Sequence, residues 1–207
     1  MAKLKSTLPN MVLVLGLIAA VTSLLLAYVY TITKEPVERA QIQKLNTAIG
    51  EVVPGVDSFK EYKAVQHAGD GSVIDSLTFY NVFDNEGNLI GTAVKSYDKG
   101  GFNGLITVLV GFNNDGNIIK SLPLEQAETP GLGDKLERNK SNFTQQFDGI
   151  NPSEVNIKVK KDGGELDAIT AATISSRAYS RAVQLAYDTF MTNKQTNEEG
   201  GDDESME

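Results

Sequence analysis

An α+β fold behind a single membrane helix is predicted by three features: one long uncharged apolar run near the N-terminus, a middle stretch in which strand-like segments alternate with glycine turns, and a closing segment of helical periodicity. No charge occurs between Lys5 and Lys34, and residues 11–30 are almost wholly apolar. A helix of that length covers about 30 Å, the hydrocarbon thickness of a bilayer. A cleavable signal peptide would carry an apolar region of only about 7–15 residues followed by a small-residue cleavage site. Here Tyr28, Val29 and Tyr30 close the run, which reads as an anchor. Lys3 and Lys5 precede it and Lys34, Arg39 and Lys44 follow it, so the positive charges alone do not orient it. The short leading tail suits a signal anchor with its N-terminus in the cytoplasm. The expected layout is a cytoplasmic tail (residues 1–10), a transmembrane helix (11–32), one extracytoplasmic domain (33–192) and an acidic, disordered tail (193–207).

The chain's 207 residues allow one modest folded domain beyond the anchor. Nineteen Lys and Arg against 27 Asp and Glu give a net charge of −8, and six of the acids (Glu198, Glu199, Asp202, Asp203, Glu204, Glu207) crowd the last ten residues. The remainder is near −2, without the basic face that a nucleic-acid partner requires. With no Cys, the sequence excludes disulfides, thiolate zinc sites, cysteine-ligated iron–sulfur clusters and cysteine nucleophiles. His67, the one histidine, cannot build a multi-histidine site and reads as a surface residue, so no metal site is expected.

Beyond the anchor, Val37, Ile42, Leu45, Ile49 and Val52 recur at near-helical spacing, with Pro36 placed where a first helical turn tolerates it. A separate core-facing amphipathic helix is expected there, ending at Pro54 and Gly55. From Leu77 to Leu124 the segments LTFYNVF, LIGTAVKSY, LITVLVGF and IIKSLPL are joined within pairs by DNEGN and NNDGN, which predicts two antiparallel hairpins. The turns' similarity fits either a duplication or generic Asn/Asp-Gly chemistry. Gly100-Gly101-Phe102-Asn103-Gly104 between the hairpins reads as a flexible loop or as one that faces a ligand. No P-loop or GxGxxG pattern is present in this stretch. Val155, Ile157 and Val159 alternate with Lys158 and Lys160 as in a strand.

The closing segment runs Asp167-Ala168-Ile169-Thr170-Ala171-Ala172-Thr173-Ile174-Ser175-Ser176-Arg177-Ala178, then continues helically with Ala182, Leu185, Ala186 and Phe190. Hydroxyls at Thr170, Thr173, Ser175 and Ser176 crowd the helix entrance. Read from the residues alone, two roles stay open. Thr173 or Ser175 caps the helix, or the free N–H groups and dipole there hold an anion such as a phosphate. Glu128-Thr129-Pro130-Gly131-Leu132-Gly133 is either a plain type II turn or a loop whose glycines let backbone approach a flat ligand.

The Asp167 to Ser176 segment resembles the flavinylation motif D-x-x-[ST]-G-A-T-x-[ST]-[ST] of the FMN-binding domain family. That family includes the G subunit of Rnf electron-transport complexes and the C subunit of the sodium-translocating NADH:quinone reductase. Glu128 to Gly133 is similar to the ETPGLG loop that these proteins place beside the flavin, and the anchor-plus-domain layout matches as well. One departure is Ala171, where the family most often has Gly. The resemblance implies a bent antiparallel sheet flanked by helices at the cell's inner (cytoplasmic) membrane. It implies FMN joined through a phosphoester to Thr173 by a separate flavin transferase that uses FAD and a divalent metal. It further implies cofactor contacts from Glu128, Thr129, Gly131, Leu132, Gly133, Thr170, Ala172, Ser175 and Ser176. Leu132 is expected over the dimethylbenzene edge, and Glu128 on ribityl or ring polar groups or orienting the loop. No catalytic side chain is required, because the flavin performs the redox step as part of an ion-translocating oxidoreductase. The implied partners are the other subunits of an Rnf-type membrane complex. The alternatives are the quinone-reductase C-type subunit, whose chains usually run longer, and a cofactor-free anchored binding or sensor module.

The expected orientation is tested by reporter fusions after Lys194. A reporter active only outside the cytoplasm is expected to work there, and activity of a cytoplasm-only reporter at the same site would reverse the topology.

Overall fold

The computed structural model describes residues 7–67 and 73–199. Part of the expected cytoplasmic tail (1–6), the end of the acidic tail (200–207) and the side chain of His67 lie outside the described residues. The chain divides into two compact units, Met1–Lys44 and Leu45–Glu207.

The first unit is helical. Helix α1 (Leu8–Val52) is long and apolar enough to cross a membrane, and its residues 11–44 are all exposed. A bare helix satisfies its backbone internally, which is what hydrocarbon demands. The hydroxyls of Thr22, Thr31 and Thr33 also turn inward, donating to the carbonyls of Ile18 (2.9 Å), Ala27 (2.8 Å) and Val29 (2.8 Å). The expected separate helix after the membrane segment is corrected: α1 continues through Pro36, which lies inside it. Ion pairs of Glu35 with Arg39 (2.6 Å) and Lys34 with Glu38 (4.0 Å) span the proline one turn apart.

The second unit is built on one five-stranded antiparallel sheet in the order β1-β2-β3-β4-β5, so the α+β class holds. The strands are β1 (Ser58–His67), β2 (Val73–Phe83), β3 (Leu89–Gly101), β4 (Gly104–Phe112) and β5 (Ile118–Glu125). The two expected hairpins are β2–β3 and β4–β5, and β3–β4 joins them into a continuous meander. The two similar turns are alike in structure: Asp84 Oδ1 accepts from the amides of Glu86 and Asn88, as Asn113 Oδ1 does from Asp115 and Asn117. Both are Asx-type turns. Strand β1 carries Lys60, Glu61 and Lys63 and forms an edge, where charges discourage further pairing. The opposite edge, β5, accommodates Pro123.

Both faces of the sheet are covered. On one lie Ala48, Ile49, Val52 and Val53 at the end of α1, against Tyr80, Val82, Ala93 and Leu109. On the other lies helix α2 (Thr173–Glu199), whose Ala178, Tyr179, Ala182, Val183, Ala186, Tyr187 and Phe190 pack on Phe79, Val94, Val108, Val110 and Phe112. Leu185, expected in that face, is only partly buried. The small residues at one-turn spacing bring α2 close to the sheet, while Tyr179, fully buried, donates to Ser121 Oγ at 2.9 Å. Burial pushes its phenol pKa well up. Helix α2 extends to Glu199, past the boundary at 192 where the acidic tail was expected to start.

The strand expected at 155–159 does not form. Ile157 and Val159 are buried and Lys158 and Lys160 exposed, as the alternation requires, but the backbone makes only an isolated bridge between Val159 and Leu166. Alternation reports which side chains face the core and carries no information about a pairing partner.

Gly111 marks the tightest approach between layers: a Cβ there would stand 2.3 Å from Val52 O and 2.9 Å from Val52 Cβ. Gly111→Ala is expected to destabilise the domain by about 1–3 kcal/mol through overpacking. The check is the urea midpoint, which would stay at the wild-type value only if α1 did not pack this closely.

Candidate functional site

Three segments far apart in sequence converge at one end of the sheet. The first is the turn between β3 and β4. Gly100 and Gly101 belong to β3, and Gly101 pairs with Gly104, so the expected loop is a tight hairpin with Phe102 and Asn103 at its tip. Arg181 of α2 holds the stem, donating Nε and Nη2 to Asp98 at 2.8 Å each. Burial raises the Asp98 carboxyl, but the Arg181 hydrogen bonds, the Gly100 amide and the Arg181 charge outweigh it and hold the carboxyl below its ordinary value.

The second segment follows β5. Leu132 N donates to Thr129 O at 3.1 Å and Gly131 has φ +78°, the type II pattern with Pro130 at its second position. Glu128, 5% exposed, uses both carboxylate oxygens within the protein. Oε1 accepts from Asn103 N (3.1 Å) and Oε2 from Ser175 Oγ (2.5 Å). These bonds tie the hairpin tip and the α2 entrance to the loop. Gly133 makes the contact possible, since a Cβ there would lie 2.7 Å from both Glu128 and Ser175 Oγ.

The third is the entrance to α2. Ala172 N donates to Ile169 O at 3.0 Å and Ala171 has φ +64°, the one non-glycine residue with positive φ among those described. Ser176, fully buried, serves the backbone: its Oγ accepts from Ile169 N (2.9 Å) and donates to Ala172 O (3.0 Å). Thr173 and Ser175, the two expected caps, make no such bond; Ser175 goes to Glu128 and Thr173 Oγ1 accepts from Lys161 Nζ at 3.3 Å. The first helical bond is Ser176 N to Ala172 O (3.0 Å), so the amides of Thr173, Ile174 and Ser175 precede the ladder. Asp167 is fixed by paired bonds between its backbone and the Gln146 side chain (2.8 and 3.0 Å), and its carboxylate meets Lys160 Nζ at 2.8 Å.

A cavity of about 300 Å³ opens between these segments, a volume at the lower end of the range that small ligands occupy. Of the residues implicated by the sequence, Glu128, Thr129, Leu132, Gly133, Ala172, Thr173 and Ser175 line it. Gly131 shapes the turn, Thr170 is exposed and Ser176 is fully buried, and these three are not among the lining residues. Phe102, Ala171 and Ile174 also line it and were not singled out as site residues. Phe102 had a signal, an aromatic between glycines in a segment that read either as a flexible loop or as one that faces a ligand. Phe102, Ile174 and Leu132 are 65%, 47% and 42% exposed, which makes an apolar rim around a polar floor. Among the described residues no cluster could hold a metal ion.

A helix apolar enough to cross a membrane, leading to a sheet-and-helix domain with an apolar-rimmed cavity at a helix entrance, describes a membrane-anchored protein with a candidate small-ligand cavity. Residues 101–188 match the model of the FMN-binding domain family, and residues 1–52 match that of the RnfG N-terminal region. Curated relatives extend over nearly the whole chain. One is the G subunit of the ion-translocating oxidoreductase complex of Shewanella piezotolerans, 33% identical over 92% of this chain and 92% of its own length. Its namesakes in Vibrio atlanticus (30% identical, 88% and 90% covered) and Aliivibrio fischeri (30%, 92% and 93%) match similarly. The chain belongs to the family of G subunits of ion-translocating oxidoreductase complexes. The crystal structure of NqrC from Shewanella oneidensis shares the fold, with a TM-score of 0.50 at 18% identity over 68% of this chain and 85% of that one.

Ala171 occupies a left-handed conformation that costs a side-chain-bearing residue about 1–2 kcal/mol. Ala171→Gly removes that strain while adding unfolded-state entropy, so a net gain of about 0.5–1 kcal/mol is expected. Thermal unfolding of the cofactor-free protein measures it, and a fall in melting temperature would contradict the assigned backbone.

Proposed function

We propose that FMN is joined through a phosphoester to Thr173 Oγ1 and lies in the cavity between the 128–133 loop, the Phe102 hairpin tip and the α2 entrance. The chain itself is an Rnf-type electron-transport subunit with an FMN-binding domain, anchored in the membrane and assembled with other subunits. The observation that carries the proposal is the division of labour among the motif's hydroxyls. Ser176 serves the backbone and Ser175 serves Glu128. Thr173 alone of these three faces the cavity without a structural duty inside the helix entrance.

The residues present fit the cofactor's chemistry. The hydroxyl of Thr173 is the nucleophile in loading by a flavin transferase. Its O–P bond to the FMN phosphate forms as the pyrophosphate bond of FAD breaks, AMP leaves and the hydroxyl proton passes to solvent. The phosphate then sits at a helix N-terminus, where free amides and the dipole favour an anion. Phe102, Leu132 and Ile174 give a flat apolar ring surface to cover, and their exposure leaves one side open to another subunit. Bound flavin supplies the electron carriage. The chain binds and orients it and excludes water, and no acid or base among its side chains is needed. A covalent tether suits the extracytoplasmic side of the membrane, on which we place the domain, because a dissociating cofactor would be lost there.

Thr173→Ala is expected to abolish flavin that stays with the denatured protein after expression with a flavin transferase, whereas Ser175→Ala is expected to retain it. Ser175→Ala instead leaves a buried Glu128 oxygen without its donor, at a stability cost of about 1–3 kcal/mol. Flavin fluorescence on a denaturing gel, with peptide mass mapping for an FMN adduct less one water, separates the variants. Fluorescence retained by Thr173→Ala would overturn the attachment site.

A further inference from the structure

We propose that Lys161 is the positioning residue for the anion on Thr173: its ammonium pairs with the phosphodiester formed there and fixes the direction in which the tether leaves the helix. This role rests on Thr173 being the attachment site and extends that reading to a residue outside both sequence motifs.

Residues Lys160–Asp162 form a short 3-10 turn. Its backbone is held on both sides, by Lys160 N to Leu166 O (2.8 Å), Leu166 N to Lys158 O (3.1 Å) and Gly164 N to Val159 O (3.2 Å). Its three side chains then reach successive points along the start of α2. Lys160 pairs with Asp167, ahead of the helix, at 2.8 Å. Asp162 pairs with Arg177, one helical turn after Thr173, at 2.6 Å through both carboxylate oxygens. The Arg177 hydrogen bonds hold the Asp162 carboxyl below its ordinary value.

Lys161 lies between these two clamps and meets Thr173. The neighbouring charges are thus neutralised by carboxylates, while among the described residues Lys161 has no carboxylate within ion-pair distance. Its hydrogen-bond partner is the neutral Thr173 Oγ1, at 3.3 Å. An ammonium gains little from a neutral hydroxyl that water could not give it. A phosphodiester built on that oxygen carries one negative charge, and its nonbridging oxygens begin one P–O bond beyond Oγ1, within reach of a flexible cationic side chain. The ion pairs on either side keep the turn from drifting, so the positive charge is in place before the anion is attached.

The test uses the full chain with a flavin transferase and FAD, comparing wild type with Lys161→Ala, Lys161→Glu and Lys161→Arg. Lys161 is exposed, so the variants are expected to fold as wild type, which circular dichroism melting checks. Phosphorus NMR of the labelled proteins reads the phosphodiester directly. Its resonance is expected to shift in Lys161→Ala and further in Lys161→Glu, and to return toward wild type in Lys161→Arg. Labelling under limiting transferase is expected to slow about three- to tenfold in Lys161→Ala. Complete loss of labelling in Lys161→Ala with retention in Lys161→Arg would support the same conclusion, because both replace the lysine and only one keeps the charge. A phosphorus resonance unmoved in Lys161→Ala overturns the role, as does a shift that arginine fails to restore. Peptide mapping of the wild type distinguishes the two levels: an adduct absent from Thr173 sinks the attachment site and this inference with it, whereas an adduct on Thr173 indifferent to Lys161 sinks only the latter.

Discussion

The carboxylate of Glu128 holds the site together. It is buried at the exit of β5, accepts from the Asn103 amide on one side and from the Ser175 hydroxyl on the other, and so joins three segments that the chain keeps far apart. A buried carboxylate is tolerable only when its oxygens are satisfied. That requirement fixes the hairpin tip, the loop and the helix entrance relative to one another. The glycines at 101 and 133 follow from it, because a Cβ at either position would fall within 2.8 Å of a Glu128 oxygen. The cavity is what remains between three segments drawn to one carboxylate.

Around this clasp, charge and apolar surface are separated. Ion pairs ring the helix entrance, through Asp98–Arg181, Lys160–Asp167 and Asp162–Arg177, while Phe102, Leu132 and Ile174 present uncharged surface at the cavity rim. Exposed pairs of this kind add little to stability. Their contribution here is positional: they keep the hairpin stem and the 160–162 turn in register with α2. The charged helix entrance and the apolar cavity rim are thus two distinct surfaces of one site.

Much of this was legible in local sequence. Turn chemistry identified the β2–β3 and β4–β5 connections, because an Asx residue and a glycine at fixed spacing define a turn without help from the rest of the chain. The type II turn at 129–132 followed from Pro and Gly in the same way. Strand β1 was not legible, since an edge strand bearing Lys60, Glu61 and Lys63 has too little apolar alternation to stand out. The segment at 155–159 erred in the opposite direction: it alternates as a strand does, yet what faces it is the core and a turn rather than another strand. Pro36 misled because a proline weakens a helix by one hydrogen bond without having to end it, and α1 continues through it.

The sequence by itself determined the membrane helix, the α+β class, the two hairpins and the two motifs that carry the site, since each depends on hydropathy or backbone preference within a few residues. Only the tertiary structure decided which partners the motif's hydroxyls meet, that Glu128 faces the protein's own donors, that Phe102 joins the rim and that Lys161 stands at Thr173. These include contacts between residues 12 to 47 positions apart. No local preference specifies such contacts; they arise when the burial of both faces of the sheet brings the ends of β3, β5 and α2 to the same place.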